Sequence, residues 1–189
     1  MVVENKIRES LEATLNAREN AEGIEDCNIE IDFLNNRLFV CENTEEANEV
    51  IKKFLAEKGI NVFTVSPNGY EIQRKKASIR LGRSTVFPIL YPGDETTDEL
   101  KKENVALFLP DLDQMNDLVY RRLLFDAIRT HIVADSRNSE GNFTKLHYSF
   151  FAVATVSNKM PKNEWFVLHN EEAKNCFRIV YLEKIKDAK

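Results

Sequence analysis

Glycine is scarce in this 189-residue chain. The six glycines never lie closer than ten positions apart, at Gly59 and Gly69, and none is followed by lysine. That excludes a GxxxxGK(S/T) loop, in which backbone N–H groups wrap phosphates and the lysine pairs with the terminal ones. Cysteine is scarcer still. Cys27, Cys41 and Cys176 form no CxxC pair and show no Cys/His spacing of a zinc site. An odd, scattered set reads as free thiols in a reducing cytoplasm rather than as a disulfide frame. Long apolar runs are missing as well: none approaches the ~18 residues of a membrane span, so no membrane association is expected. Charge arrives at Glu4, too early for the apolar stretch of a signal peptide. Nor is there a surplus of positive charge. The net charge is -5, which gives no bulk reason to expect nucleic acid. Repeats, low-complexity tracts and linkers are absent too.

What is present is the material of one globular domain. Hydrophobic residues make up 43% and charged residues 30%, a balance that disordered chains lack. At this length folding buries roughly 70% of the unfolded surface, so a core forms without metal or disulfide staples. Residues 1–25 are expected to hold an N-terminal helix, with Ile7, Leu11 and Leu15 at spacing four and Gly23 as its stop. Residues 26–189 are expected to form a single α/β domain.

Within that domain "NTEEANEVIKKFLAEKG" predicts a helix. Asn43 or Thr44 caps it, Glu45 and Glu46 sit in the first turn, Val50, Ile51, Phe54 and Leu55 supply an apolar face, and Gly59 ends it. "INVFTVS", "VALFL", "SFFAVATVSN" and "FRIVYLEKI" read as strands. A further helix is expected over 116–134, capped by Asn116, with Leu118, Leu124, Ile128 and Ile132 on its buried side. "DSRNSEGNFTK" then reads as a polar loop. Residues 28–42 leave two options open: a hairpin turning at Asn35-Asn36, or a central strand. Continuous apolar strands alternating with amphipathic helices argue for a mostly parallel sheet with helices on both faces. Ligands of such sheets bind beyond the carboxyl ends of the strands, and Asp111 and Asn158 both fall just past such ends.

"ALFLPDLDQMN" lies on the pattern "LLFLDEIDQM", and "FFAVATVSN" on a strand that ends in a polar Asn. From Val105 to Asn158 the chain thereby resembles an AAA+ ATPase core, with the acidic strand first and the sensor 1 strand second. "NCFRIVYL" resembles the following stretch with the fifth strand. "NRLFVCE", the helix 44–58 and "INVFTVS" fit the first strand, first helix and second strand. The resemblance covers about residues 35–185 and implies a P-loop NTPase-like fold. The chain stops where that family's helical lid would begin.

The departures concern chemistry. Where the phosphate loop belongs the chain has "CENTEEANE", with neither glycine nor lysine, and its glutamates repel a triphosphate at a helix N-terminus that ordinarily attracts one. Pro110 stands in place of the aspartate that organises Mg2+, and Asp111 in place of the glutamate that activates water. The resemblance therefore implies a degenerate AAA+-like domain without ATPase activity. It would act through protein–protein contacts as an inactive subunit or adaptor, beside a protein partner or in a homo-oligomer. No cofactor is expected, with ATP and Mg2+ as the remaining possibility.

Other readings stand beside that one. Asp111 and Asp113 form a DxD pair that could hold a divalent cation, and with Asn158 a residual nucleotide- or metal-dependent catalytic site; as structure they are a polar turn. The cluster Arg74, Lys75, Lys76, Arg80 and Arg83 could contact nucleic acid, or be a solvated hairpin face. Arg121, Arg122 and Arg129 could serve a neighbouring subunit as an arginine finger, or only solubilise a helix. Cys41 with His131, His147 or His169 would make a nucleophile pair, though a thiol at a strand end is ordinary core. Trp165 and Phe166 would anchor a partner or fill the core.

Overall fold

The computed structural model describes residues 2–21, 35–65, 105–115, 132–137, 143–147, 150–159 and 173–183, and the single positions 124, 125, 128 and 171. The N-terminal helix α1 spans Val2–Ala21. Strand β1 is Arg37–Cys41, helix α2 is Thr44–Glu57 and strand β2 is Asn61–Thr64. Strand β3, Val105–Leu109, runs into a 3-10 turn at Leu112–Gln114. Then come β4 (Ile132–Arg137), β5 (Phe143–His147), β6 (Phe150–Ser157) and β7 (Arg178–Tyr181).

Five strands form one sheet in the order β2-β3-β6-β1-β7. Every pairing in it is parallel. β1 and β3 are buried at every position, as expected of strands covered on both sides. Alternation divides the side chains between two apolar layers. Leu38, Val40, Leu107 and Ala152 face a layer containing Leu124, Phe125, Ile128 and Phe177. Phe39, Cys41, Phe108 and Phe151 face the layer made with α1 and α2. The backbone is helical at Leu124, Phe125 and Ile128, so helical residues cover both faces. The chain thus has an α/β fold built on an all-parallel sheet.

α2 forms where the pattern places it. Its N-cap is Asn43, whose side chain accepts from the Glu46 N–H at 3.2 Å. Gly59 takes φ 67, and the Ile60 N–H returns to Leu55 O at 2.9 Å, closing the helix. α1 packs on the same sheet face, burying Ile7 and Leu11 completely or nearly so. Those two side chains contribute ~3–6 kcal/mol by area.

One open choice is decided and one expectation is corrected. β1 is no hairpin arm: β6 and β7 flank it on both sides, each parallel. Asn36 ties β6 to the helical residue Cys176 ahead of β7 instead of turning a hairpin. Fully buried, it donates from Nδ2 to Cys176 O at 3.0 Å and accepts at Oδ1 from the Ala152 N–H at 2.7 Å. The helix expected over 116–134 does not reach its end, because Ile132 opens β4. β4 pairs antiparallel with β5, Ile132 opposite His147, so much of the expected loop "DSRNSEGNFTK" is hairpin. β-branched Ile132 and Val133 favour strand, and a register shift between Ala134 and Arg137 breaks the alternation that would have signalled it.

Replacing Asn36 by Ala leaves a buried N–H and a buried carbonyl without these partners, which costs about 2–4 kcal/mol. Losing the Asn43 cap costs only about 1 kcal/mol. Urea unfolding should therefore rank Asn36→Ala well below Asn43→Ala, and equal midpoints would refute the bridging role.

Candidate functional site

A parallel sheet aligns all its strand ends, and its carboxyl edge gathers four segments of this chain. Because β6 lies between β3 and β1, and β7 lies beyond β1, the turn at 110–114, Asn158, the turn at 42–44 and Glu183 follow one another along that edge. The structure therefore brings Asp111, Asp113 and Asn158 to adjacent strand ends.

Asp111 is the most constrained of them. It has φ 51 and ψ 45 and is the one non-glycine residue with positive φ among those described. Asp tolerates the left-handed region better than most residues, yet the conformation still costs energy that neighbours must offset. A closed triangle of hydrogen bonds does so. The Asp111 N–H donates to Thr155 Oγ1 at 3.0 Å. The Thr155 hydroxyl donates to Asn48 Oδ1 at 2.7 Å. Asn48 Nδ2 donates to Asp111 Oδ2 at 3.3 Å. Thr155 and Asn48 are both buried, so the bond between them is made away from water, while the two to Asp111 are partly buried.

Asp113 serves the neighbouring strand, accepting at Oδ1 from the Ser157 N–H at 3.3 Å. Its carboxyl is raised above the ordinary aspartate range, mainly by burial; backbone N–H bonds pull it down and the Asp111 charge pushes it up. The two carboxylates thus answer to different partners, α2 for Asp111 and β6 for Asp113. Among the described residues no group of three or more His, Cys, Asp or Glu is placed to hold a metal ion. The Asn158 N–H donates to Cys41 O at 2.9 Å, which ties the end of β6 to the end of β1.

At the β1–α2 turn two of the N–H donors are in use. Glu42 N–H donates to Glu183 Oε2 at 2.8 Å, and Glu46 N–H to Asn43 Oδ1. Below them the Cys41 thiol is buried and pushed up to about 12, chiefly by desolvation, with Glu183, Asp111, Asp113 and Glu46 adding to it. It is protonated at neutral pH, the reverse of an activated nucleophile.

Asn48, Thr155 and Glu183 were not among the sequence candidates. Two of them carried a signal. Asn48 lies on the apolar stripe of α2 with Ile51 and Leu55, and Thr155 interrupts the run "FFAVATV". A polar residue in a buried position needs a partner, and these two find each other. Glu183 had no such mark. The basic cluster Arg74, Lys75, Lys76, Arg80 and Arg83 lies outside the described residues, as do Arg121, Arg122, Arg129, His131, Trp165, Phe166 and His169. His147 lies in β5. No helix among the described residues is long and apolar enough to cross a membrane.

No protein-family model matches the chain, and a comparison with curated proteins gives no match either. The likeness to AAA+ ATPases therefore rests on the residues quoted above.

Two substitutions test this edge. Thr155→Val keeps the shape but deprives Asn48 Oδ1 and the Asp111 N–H of their partner, and should cost about 2–3 kcal/mol in urea unfolding. Asp113→Asn keeps the acceptor for Ser157 and removes the partly buried charge. A carboxyl raised in the folded state favours folding in acid, and that contribution is lost as pH rises through its folded value. Asp113→Asn should therefore melt higher than the parent near neutral pH, with the gain shrinking below about pH 4, the unfolded value. A lower melting temperature at neutral pH would contradict the assignment.

Proposed function

We propose that this chain is a degenerate AAA+-like domain that does not hydrolyse ATP and works through protein contacts, as an inactive subunit or adaptor. One observation carries the inactive part. The N–H groups of Glu42 and Glu46, at the turn where a triphosphate would be cradled, are bonded to Glu183 and Asn43 of the same chain. Glycine and lysine are both missing from that turn, and glutamates surround it. An incoming phosphate would have to displace one carboxylate and approach others.

The family reading draws support from the sheet order. Phosphate-loop, acidic and sensor segments can act on one nucleotide only if their strands are neighbours. Here β1, β6 and β3 are adjacent and parallel.

A second reading, a metal-dependent site at Asp111, Asp113 and Asn158, has one observation in its favour. A strained aspartate beside one whose charge is disfavoured by burial is an arrangement that functional sites often retain. Titration with Mg2+ or Mn2+ tests it: specific binding abolished by Asp111→Asn with Asp113→Asn would establish it, and silence at millimolar metal would remove it.

Thermal unfolding with millimolar Mg-ATP tests the first reading. Ligand at 100 times its dissociation constant stabilises by about 2.7 kcal/mol, or roughly 5–10 °C for a domain of this size. We expect no shift and no phosphate release. Either a shift of that order or steady turnover would overturn the proposal.

A further inference from the structure

α1 and α2 share one sheet face but are held to it by different means. α2 is joined to β1 and β2 by short turns, buries an apolar stripe and contributes Asn48 to the hydrogen-bonded triangle. It cannot leave without breaking the sheet's edge. α1 is attached through side chains. Lys6 Nζ donates to Leu182 O at 3.0 Å, Thr14 Oγ1 to Asn35 O at 3.2 Å, and Arg37 Nε to Ser10 Oγ at 3.1 Å. Its fully buried apolar anchor is Ile7 and Leu11, with Val3 and Leu15 partly buried.

The seam between the two helices is ionic. Arg8 donates to both carboxylate oxygens of Glu57, at 2.7 and 3.3 Å, and Lys58 donates to Glu12 at 2.8 Å. The two cations flank one ring: Arg8 Cζ lies 5.8 Å and Lys58 Nζ 5.6 Å from the centroid of Phe54. All four charged side chains keep between 29% and 45% exposure, so dissolved ions reach both pairs.

We propose that α1 is a salt-sensitive strap, one that lifts from the sheet as a unit before the five strands unfold and uncovers the layer of Phe39, Phe54 and Phe151. This goes beyond the reading of the carboxyl edge and does not depend on it. Elements with few buried apolar contacts and exposed ionic ones open at lower free energy than the ladder beneath them.

Hydrogen exchange on the full chain, read by mass spectrometry at low salt and at about 0.5 M NaCl, tests the strap. Amides of α1 should exchange at least about tenfold faster than those of β1 and β6, and about fivefold faster again in high salt. The pair Glu57→Gln and Lys58→Gln alters only the α2 side of the seam and leaves the helix propensity of α1 unchanged. It should reproduce the high-salt rate at low salt and abolish the salt response, with β1 and β6 unaffected. Three results would overturn the proposal: α1 protected as strongly as β1 and β6 in both salts, α1 unprotected in both, or a salt response shared equally by the strands.

Discussion

The position of β1 between β6 and β7 is the constraint on which the rest depends. A strand paired on both edges and buried on both faces has no freedom of register, because a one-residue slip would exchange Leu38 and Val40 with Phe39 and Cys41 between unlike layers. Asn36 fixes that register at the amino end by bridging to β6 and to the residue before Phe177. With the start pinned, the far end follows. Cys41 O meets the Asn158 N–H, and Glu42 meets Glu183. The carboxyl edge is thus organised from the opposite side of the sheet.

Much of the architecture could be read from local pattern. "VALFL" and the helix after Asn43 lie where their periodicity and caps place them, because each rule was met by the residues concerned. The hairpin of β4 and β5 was hidden for the converse reason. Its strands mix apolar and polar residues and carry a register shift, so neither strict alternation nor a long apolar run marks them. Asn35-Asn36 left the choice between hairpin and central strand open. Asparagine favours tight turns when its side chain bonds locally, but here Asn36 bonds residues far along the chain, and no sequence rule reports a long-range partner.

At the candidate site the carboxylates were legible and their partners only half so. Asp111 and Asp113 follow a greasy strand, a position that draws attention by itself. What holds them is a polar residue inside a helix stripe and another inside a buried strand. Those two become informative only when the sheet sets α2 beside the ends of β3 and β6. Glu183 was invisible, since one glutamate near the end of a chain rich in them carries no pattern.

The left-handed backbone of Asp111 limits what sequence drift can do there. Glycine would accept the dihedral angles but take away the carboxylate to which Asn48 Nδ2 donates. Asparagine would accept both. Nearly every other residue would strain the turn and detach it from α2. Position 111 is therefore a narrow gate in sequence space. Homologous chains that keep this edge should vary there only between aspartate and asparagine, however far the surrounding surface has diverged.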